Sequence, residues 1–240
     1  MSDFDFSAWE VTDDLPRHTP GIHVRVGMVT TLDGYIALNG SSRGIGGEAD
    51  HAAIVALRSN TDVVVNTAFT VAQERLRPAR QARHVVLTGS DRLTTDLPLF
   101  GPGVERVLIV AGSQVSASRI GAWREAGAQV HQINEPRVRA DWLIPWLRDE
   151  QHAKTVLCEG GPSLNAQMSD AGVVDEWCLT LSLKLMAESA VKQTTVNRIS
   201  NPLKTGKSLN LRHLLVTKTE LVGIYSTHPL SDPIPQVHTA

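Results

Sequence analysis

The chain is poor in cysteine, poor in aromatic residues and nearly neutral, and each scarcity removes a class of function. Two cysteines, Cys158 and Cys178, in 240 residues cannot build a disulfide framework, and no C-x-x-C occurs. Both lie in apolar segments and read as buried free thiols. A formal net charge of −2 gives no global attraction to nucleic acid or to an anionic membrane. No run of about 18 uncharged apolar residues is present. The acidic start "MSDFDFSAWEVTDDLPRHTPG" lacks the apolar stretch of a secretory signal and does not resemble a transit peptide. A cytoplasmic protein without nucleic-acid or membrane partners is expected. The nine histidines form neither H-E-x-x-H nor H-x-H, so no metal site is expected. A G-x-S-x-G elbow is also missing, which argues against a serine hydrolase.

What remains is a chain with 42% hydrophobic and 20% charged residues, enough to bury a sizeable core. Short runs rich in β-branched residues alternate with amphipathic stretches, the order of an α/β domain whose strands are buried on both faces. Strands are expected over 22–31, 62–66, 84–88, 106–110, 128–133, 155–159 and 176–183, and helices over about 48–59, 116–126, 139–150 and 162–171. In the third helix Trp142, Leu143, Trp146 and Leu147 fall at helical spacing, a core face. Near the C-terminus "LNLRHLLVTKTE" and "LVGIYSTH" read as an antiparallel hairpin closing a mixed, mostly parallel sheet. The expected organisation is an N-terminal extension over residues 1–21, one domain over 22–228, and a loose proline-rich tail over 229–240.

The stretch "TVLCEGGPSLNAQ" runs a buried strand into a carboxylate, two glycines and a proline, then into a helix. Such a turn leaves backbone N–H groups unpaired at a helix start, where the helix dipole adds partial positive charge, and so suits a phosphate. Pro162 fits the first helical turn and Ser163 can cap or donate. An ordinary strand-to-helix turn is the other reading of "GGP". The second glycine cluster, "GSSRGIGGEAD", follows no buried strand and has no suitable acidic partner downstream, so it is not a Rossmann fingerprint.

Taken in order, "TTLDGYIA", "SSRGIGGEAD", "ALRSNTDVVVNTAFTV", "VVLTGSDRL" and "VLCEGGPSLNAQMSDAGVVDEWCLTLSL" resemble the reductase domain of bacterial riboflavin biosynthesis, a member of the dihydrofolate-reductase-like superfamily. The resemblance covers residues 22–227. It implies an NADPH-dependent reductase of a phosphoribosylamino-pyrimidine, working as a homodimer on a phosphorylated small molecule. The apolar segment "EWCLTLSLKLM" is long for a strand and could extend a sheet between subunits. The resemblance places the pyrophosphate of NADPH at Gly160, Gly161, Pro162, Ser163, Leu164 and Asn165. Thr67 and Thr70 match a second cofactor loop, and Ser90 and Arg92 match a loop near the adenosine 2′-phosphate. Glu159 is implied beside the pyrimidine, Ser42 in the substrate loop, and Arg58 and Arg77 on the ribose phosphate. A helix-end arginine is the alternative for Arg58, and a solvated face for the Arg75, Arg77, Arg80, Arg83 cluster. Asp33 in "LDG" either shapes the turn beside the nicotinamide or only caps it.

Three departures from the family pattern bear on turnover more than on binding. "VNTAFT" replaces "VGxGT", placing Asn66 and Ala68 where glycines admit the cofactor. "AQERLRPAR" stands where the family has paired aspartates, leaving Glu74 as the carboxylate expected to organise proton delivery. "LSLKLMAES" lacks the glycine of a late P-x-x-x-G. A pterin or dihydrofolate-type reductase, a nucleotide-binding relative with impaired catalysis, and a dimer using the fold for protein interaction alone are the other readings.

Overall fold

The computed structural model describes residues 4–38, 40–186, 197–198, 208–230 and 236–239. Valine-rich segments with no polar face can be satisfied only inside a sheet covered on both sides. Seven strands run parallel: β1 (His23–Thr31), β3 (Val63–Thr67), β4 (Arg83–Thr88), β5 (Val107–Ala111), the exposed edge strand β6 (Gln129–Gln132), β7 (Thr155–Cys158) and β8 (Glu176–Ser182). With β10 (Asn210–Val216), β11 (Glu220–Ser226) and β12 (Gln236–Thr239) they form one ten-stranded sheet in the order β12-β10-β11-β8-β1-β7-β3-β4-β5-β6. The strands β10 and β11 make the expected antiparallel hairpin, and β11 pairs antiparallel with β8. Two short strands, β2 (Tyr35–Ala37) and β9 (Asn197–Arg198), pair separately.

Among the described residues five α-helices cover the sheet. Residues alternate between its faces, so Val86 and Ile109 pack with Val71 of α2 (Ala68–Glu74) and with Ile120 and Trp123 of α3 (Ala117–Glu125). Farther along the same face, Ala53 and Leu57 of α1 (Glu48–Ser59) meet Leu157 and Ile224. Their sequence neighbours Val65, Val85 and Val110 point the other way, toward Leu143, Ile144 and Leu147 of α4 (Ala140–Gln151) and Leu164 and Met168 of α5 (Pro162–Asp170). In α4 the two leucines are fully buried while Trp142 and Trp146 are only partly covered, stacked on each other at 5.1 Å between ring centroids. Both cysteines are buried free thiols, and burial pushes each up to about 12.

Several expectations change. The tail expected to be loose contributes β12, which pairs parallel with β10; residues 231–235 and part of "LSLKLMAES" lie outside the described residues. The N-terminal extension is tied to the sheet, with Trp9 buried against Phe6 and its carbonyl accepting from Arg25 Nη1 at 2.6 Å. The strand β8 has β1 on one side and β11 on the other. A doubly paired strand offers no free edge, so it cannot extend the sheet between subunits.

Candidate ligand-binding crevice

The parallel strands end together along one edge of the sheet, and the sequence-predicted residues gather there. Two neighbouring strands, β3 and β7, send their helices to opposite faces: α2 follows β3 on one side and α5 follows β7 on the other. In an open α/β sheet the crevice outside the strand ends at such a point is the usual ligand position. The Thr67 amide donates to the Gly160 carbonyl across this crevice at 3.0 Å. Thr67 caps α2, its hydroxyl accepting from the Thr70 amide at 3.2 Å and lying 3.0 Å from the Thr70 hydroxyl.

Gly160 sits at φ +87°, a conformation that favours glycine, and its bond to Gly161 is cis. A Cβ on Gly161 would stand 3.3 Å from Thr70 Oγ1, a tight contact to which Thr70 would have to yield. Gly161 is the N-cap of α5 and Pro162 the first helical residue. The Ser163 amide, in the first turn, has no intrahelical carbonyl to reach. Ser163 is exposed, whereas Leu164 and Asn165 are buried, and Asn165 Oδ1 accepts from the Cys158 thiol at 3.4 Å. Their side chains therefore back the turn, and their amides both donate to the Gly161 carbonyl, at 2.9 and 3.1 Å, so the amides before them in the turn are the ones open to a ligand.

The carboxylate that raised the question of this turn is already paired. Arg58 Nε donates to Glu159 Oε1 at 2.6 Å and Nη2 to Oε2 at 2.7 Å. These bonds raise the guanidinium further above its ordinary range. Glu159 and Arg58 thus form one unit rather than the two independent contacts expected, although three of the five guanidinium hydrogens remain.

Hydrogen bonding bears on three other expectations. Glu74, expected to organise proton delivery, instead holds the neighbouring loop: Oε2 accepts from the Ser41 hydroxyl at 2.7 Å and Oε1 from the Ser42 amide at 2.5 Å. Lys184, which no sequence signal marked, holds the same loop from the end of β8 through the Gly44 and Ile45 carbonyls. Asp33 accepts from the Thr31 hydroxyl at 2.6 Å and from the Met186 amide at 3.0 Å, which makes it the cap of the turn after β1. Asn66 does not face a cofactor. It is buried within β3, where Oδ1 lies 2.9 Å from His84 Nε2 on β4. Burial pushes the His84 imidazole down to about 4.

Ser90 and Arg92 are exposed just beyond β4, and the Thr88 hydroxyl donates to the Ser90 carbonyl at 2.9 Å. Arg77 is exposed on the loop after α2, as are Arg75 and Arg80. Sequence reasoning missed Arg137. A Cβ on Gly89 would lie 3.5 Å from Arg137 Cγ, so this arginine adjoins the Gly89–Ser90 turn. It also lines a cavity of about 290 Å³ with Arg139 and Trp142.

A mixed, mostly parallel sheet with helices on both faces places the chain in the doubly wound α/β class. The comparisons make the family specific: the sequence model of the RibD C-terminal domain matches residues 22–214, and the chain belongs to that family. Among solved structures, it is similar to a pyrimidine reductase-like protein from Corynebacterium diphtheriae, with 18% identity, TM-score 0.72, and coverage of 85% of this chain and 91% of that one. It is similar also to Acinetobacter baumannii RibD, with 17% identity and TM-score 0.71, covering 86% of this chain but 58% of RibD. The riboflavin biosynthesis reductase Rib7 of Saccharomyces cerevisiae matches at 15% identity and TM-score 0.62, over 85% of this chain and 89% of that one. No curated protein matches the chain.

Proposed function

We propose that this chain is an NADPH-dependent reductase of a phosphoribosylamino-pyrimidine; several of its structural relatives are named as reductases. The observation that carries this reading is the turn after β7, where Gly160 at φ +87° and Gly161 lead into the start of α5 beside Thr67 and Thr70. A dinucleotide fits this cradle: bare backbone admits the pyrophosphate, and the start of α5 complements its charge. Ser90, Arg92 and Arg137 are suited to the 2′-phosphate, which favours NADPH over NADH. When bound, the cofactor supplies the hydride.

The chain's own residues bind and position the substrate. Arg58, anchored by Glu159, directs its remaining hydrogens to the ribose phosphate, with Arg77 as a second cation. Ser42 stands in a loop held by Glu74 and Lys184, which positions it without exposing a titrating group. Because Asp33 and Glu74 are both committed to hydrogen bonds within the protein, water delivers the proton. Homodimerisation belongs to the same proposal, through a surface other than β8.

Steady-state assay with NADPH and the phosphoribosylamino-pyrimidine tests the reading. Substrate-dependent loss of reduced-cofactor absorbance is expected. Tight NADPH binding without turnover of this substrate would overturn the assignment.

A further inference from the structure

The opposite edge of the sheet, where the parallel strands begin, carries a polar cluster that the proposed reaction does not use. Asp175, just before β8, is fully buried. Its Oδ1 accepts from the His18 amide at 2.6 Å and from His228 Nε2 at 3.0 Å; its Oδ2 accepts from the Val24 amide at 2.8 Å and lies 3.9 Å from His23 Nδ1. The adjacent Glu176, also buried, is neutralised by Arg25 and Arg212. Among the described residues no lysine or arginine forms an ion pair with Asp175, so imidazoles alone face its charge. A buried carboxylate without a cation is costly.

Two further histidines point to a ligand. His23 is 1% exposed and its Nδ1 has no hydrogen-bond partner; His213 is 6% exposed and neither ring nitrogen has one. Both line a cavity of about 290 Å³ together with Asp175 and His228. The His18 and His228 rings stack with centroids 4.1 Å apart, and one donor atom from each of His18, Asp175 and His228 falls within 4.8 Å of the others.

We propose that His18, Asp175 and His228 bind a divalent transition metal of the zinc class. Two imidazoles and a carboxylate are a fitting donor set, and three protein ligands leave a fourth position for water or a small ligand. Bonds of about 2.0–2.1 Å place tetrahedral donors about 3.4 Å apart, which rotation of the exposed His18 ring allows. The Thr227 hydroxyl donates to the Val174 carbonyl at 2.8 Å and lies 2.9 Å from His18 Nε2. On binding, the His228 proton shared with Asp175 leaves to solvent. The metal then staples the N-terminal extension, the start of β8 and the end of β11.

The test uses the full chain without a histidine tag, stripped with chelator and titrated with Co²⁺ by visible absorption and with Zn²⁺ by calorimetry. One equivalent bound at roughly micromolar affinity or tighter, with Zn²⁺ displacing Co²⁺, is expected. His18→Ala and His228→Gln should each weaken binding about tenfold or more, and the double variant should abolish it. The glutamine keeps an N–H for Asp175, so the fold is retained. No stoichiometric binding by the native chain, or binding unchanged in the folded double variant, would overturn the proposal.

Discussion

Gly161→Val perturbs the crevice with little disturbance elsewhere. Gly161 has φ −71°, outside the left-handed region, so φ itself does not exclude valine. Its Cβ would stand 3.3 Å from Thr70 Oγ1, closer than ordinary contact, and the branched methyl groups reach farther. Thr70 must yield, and its hydroxyl is bonded to that of Thr67 at 3.0 Å. Losing that bond costs about 0.5–1.5 kcal/mol of stability, a fall in melting temperature of roughly 1–6 °C for a chain of this size. The loss to a ligand is larger. A phosphate accepting from backbone N–H groups makes charge-assisted bonds of about 1.5–3 kcal/mol each, so excluding one weakens NADPH by roughly 10- to 100-fold. Fluorescence titration with NADPH, paired with thermal melting, reads both quantities. A folded variant with unchanged NADPH affinity would refute the placement of the pyrophosphate.

Three further outcomes are expected. Arg58→Ala strands the buried Glu159 carboxylate and should cost about 1–3 kcal/mol by denaturant unfolding, less than a fully buried pair because Arg58 is 41% exposed; Glu159→Gln should be milder. Glu74→Ala frees the Ser41 hydroxyl and Ser42 amide, so KM for the pyrimidine should rise several-fold while kcat changes little; a fall in kcat of about two orders of magnitude would return Glu74 to proton transfer. His84, held down to about 4 when folded against about 6.5 unfolded, binds its proton more readily in the unfolded chain. Its contribution to stability is therefore complete above about pH 6.5 and is lost as pH falls toward 4, with a slope of at most about 1.4 kcal/mol per pH unit. His84→Gln should flatten that part of a stability profile measured against pH.

Regular elements were legible because their periodicity is local. The expected strand over 62–66 is Val63–Thr67, and the expected helix over 48–59 is Glu48–Ser59. Shorter elements escaped: Tyr35–Ala37 offers three residues, and Ala68–Glu74 is a seven-residue helix whose start is fixed by the Thr67 hydroxyl rather than by an apolar stripe. The glycine turn after β7 was legible for the same local reason. Side-chain partnerships were not, because the fold creates them between distant segments. Glu159 meets Arg58 across 101 positions, and Glu74 meets Ser42 across 32. The substitution of Asn66 for a glycine looked like damage to a cofactor loop until its buried partner on the next strand, His84, accounted for it.

The central claim is that the crevice between β3 and β7 holds the cofactor pyrophosphate. Hydrogen–deuterium exchange of the full chain with and without NADPH tests it most directly. Slowed exchange is expected at the peptides spanning 66–71 and 159–165, with weaker protection over 88–92. Protection confined to the cavity beside His213 and His228, or none at saturating NADPH, would contradict it.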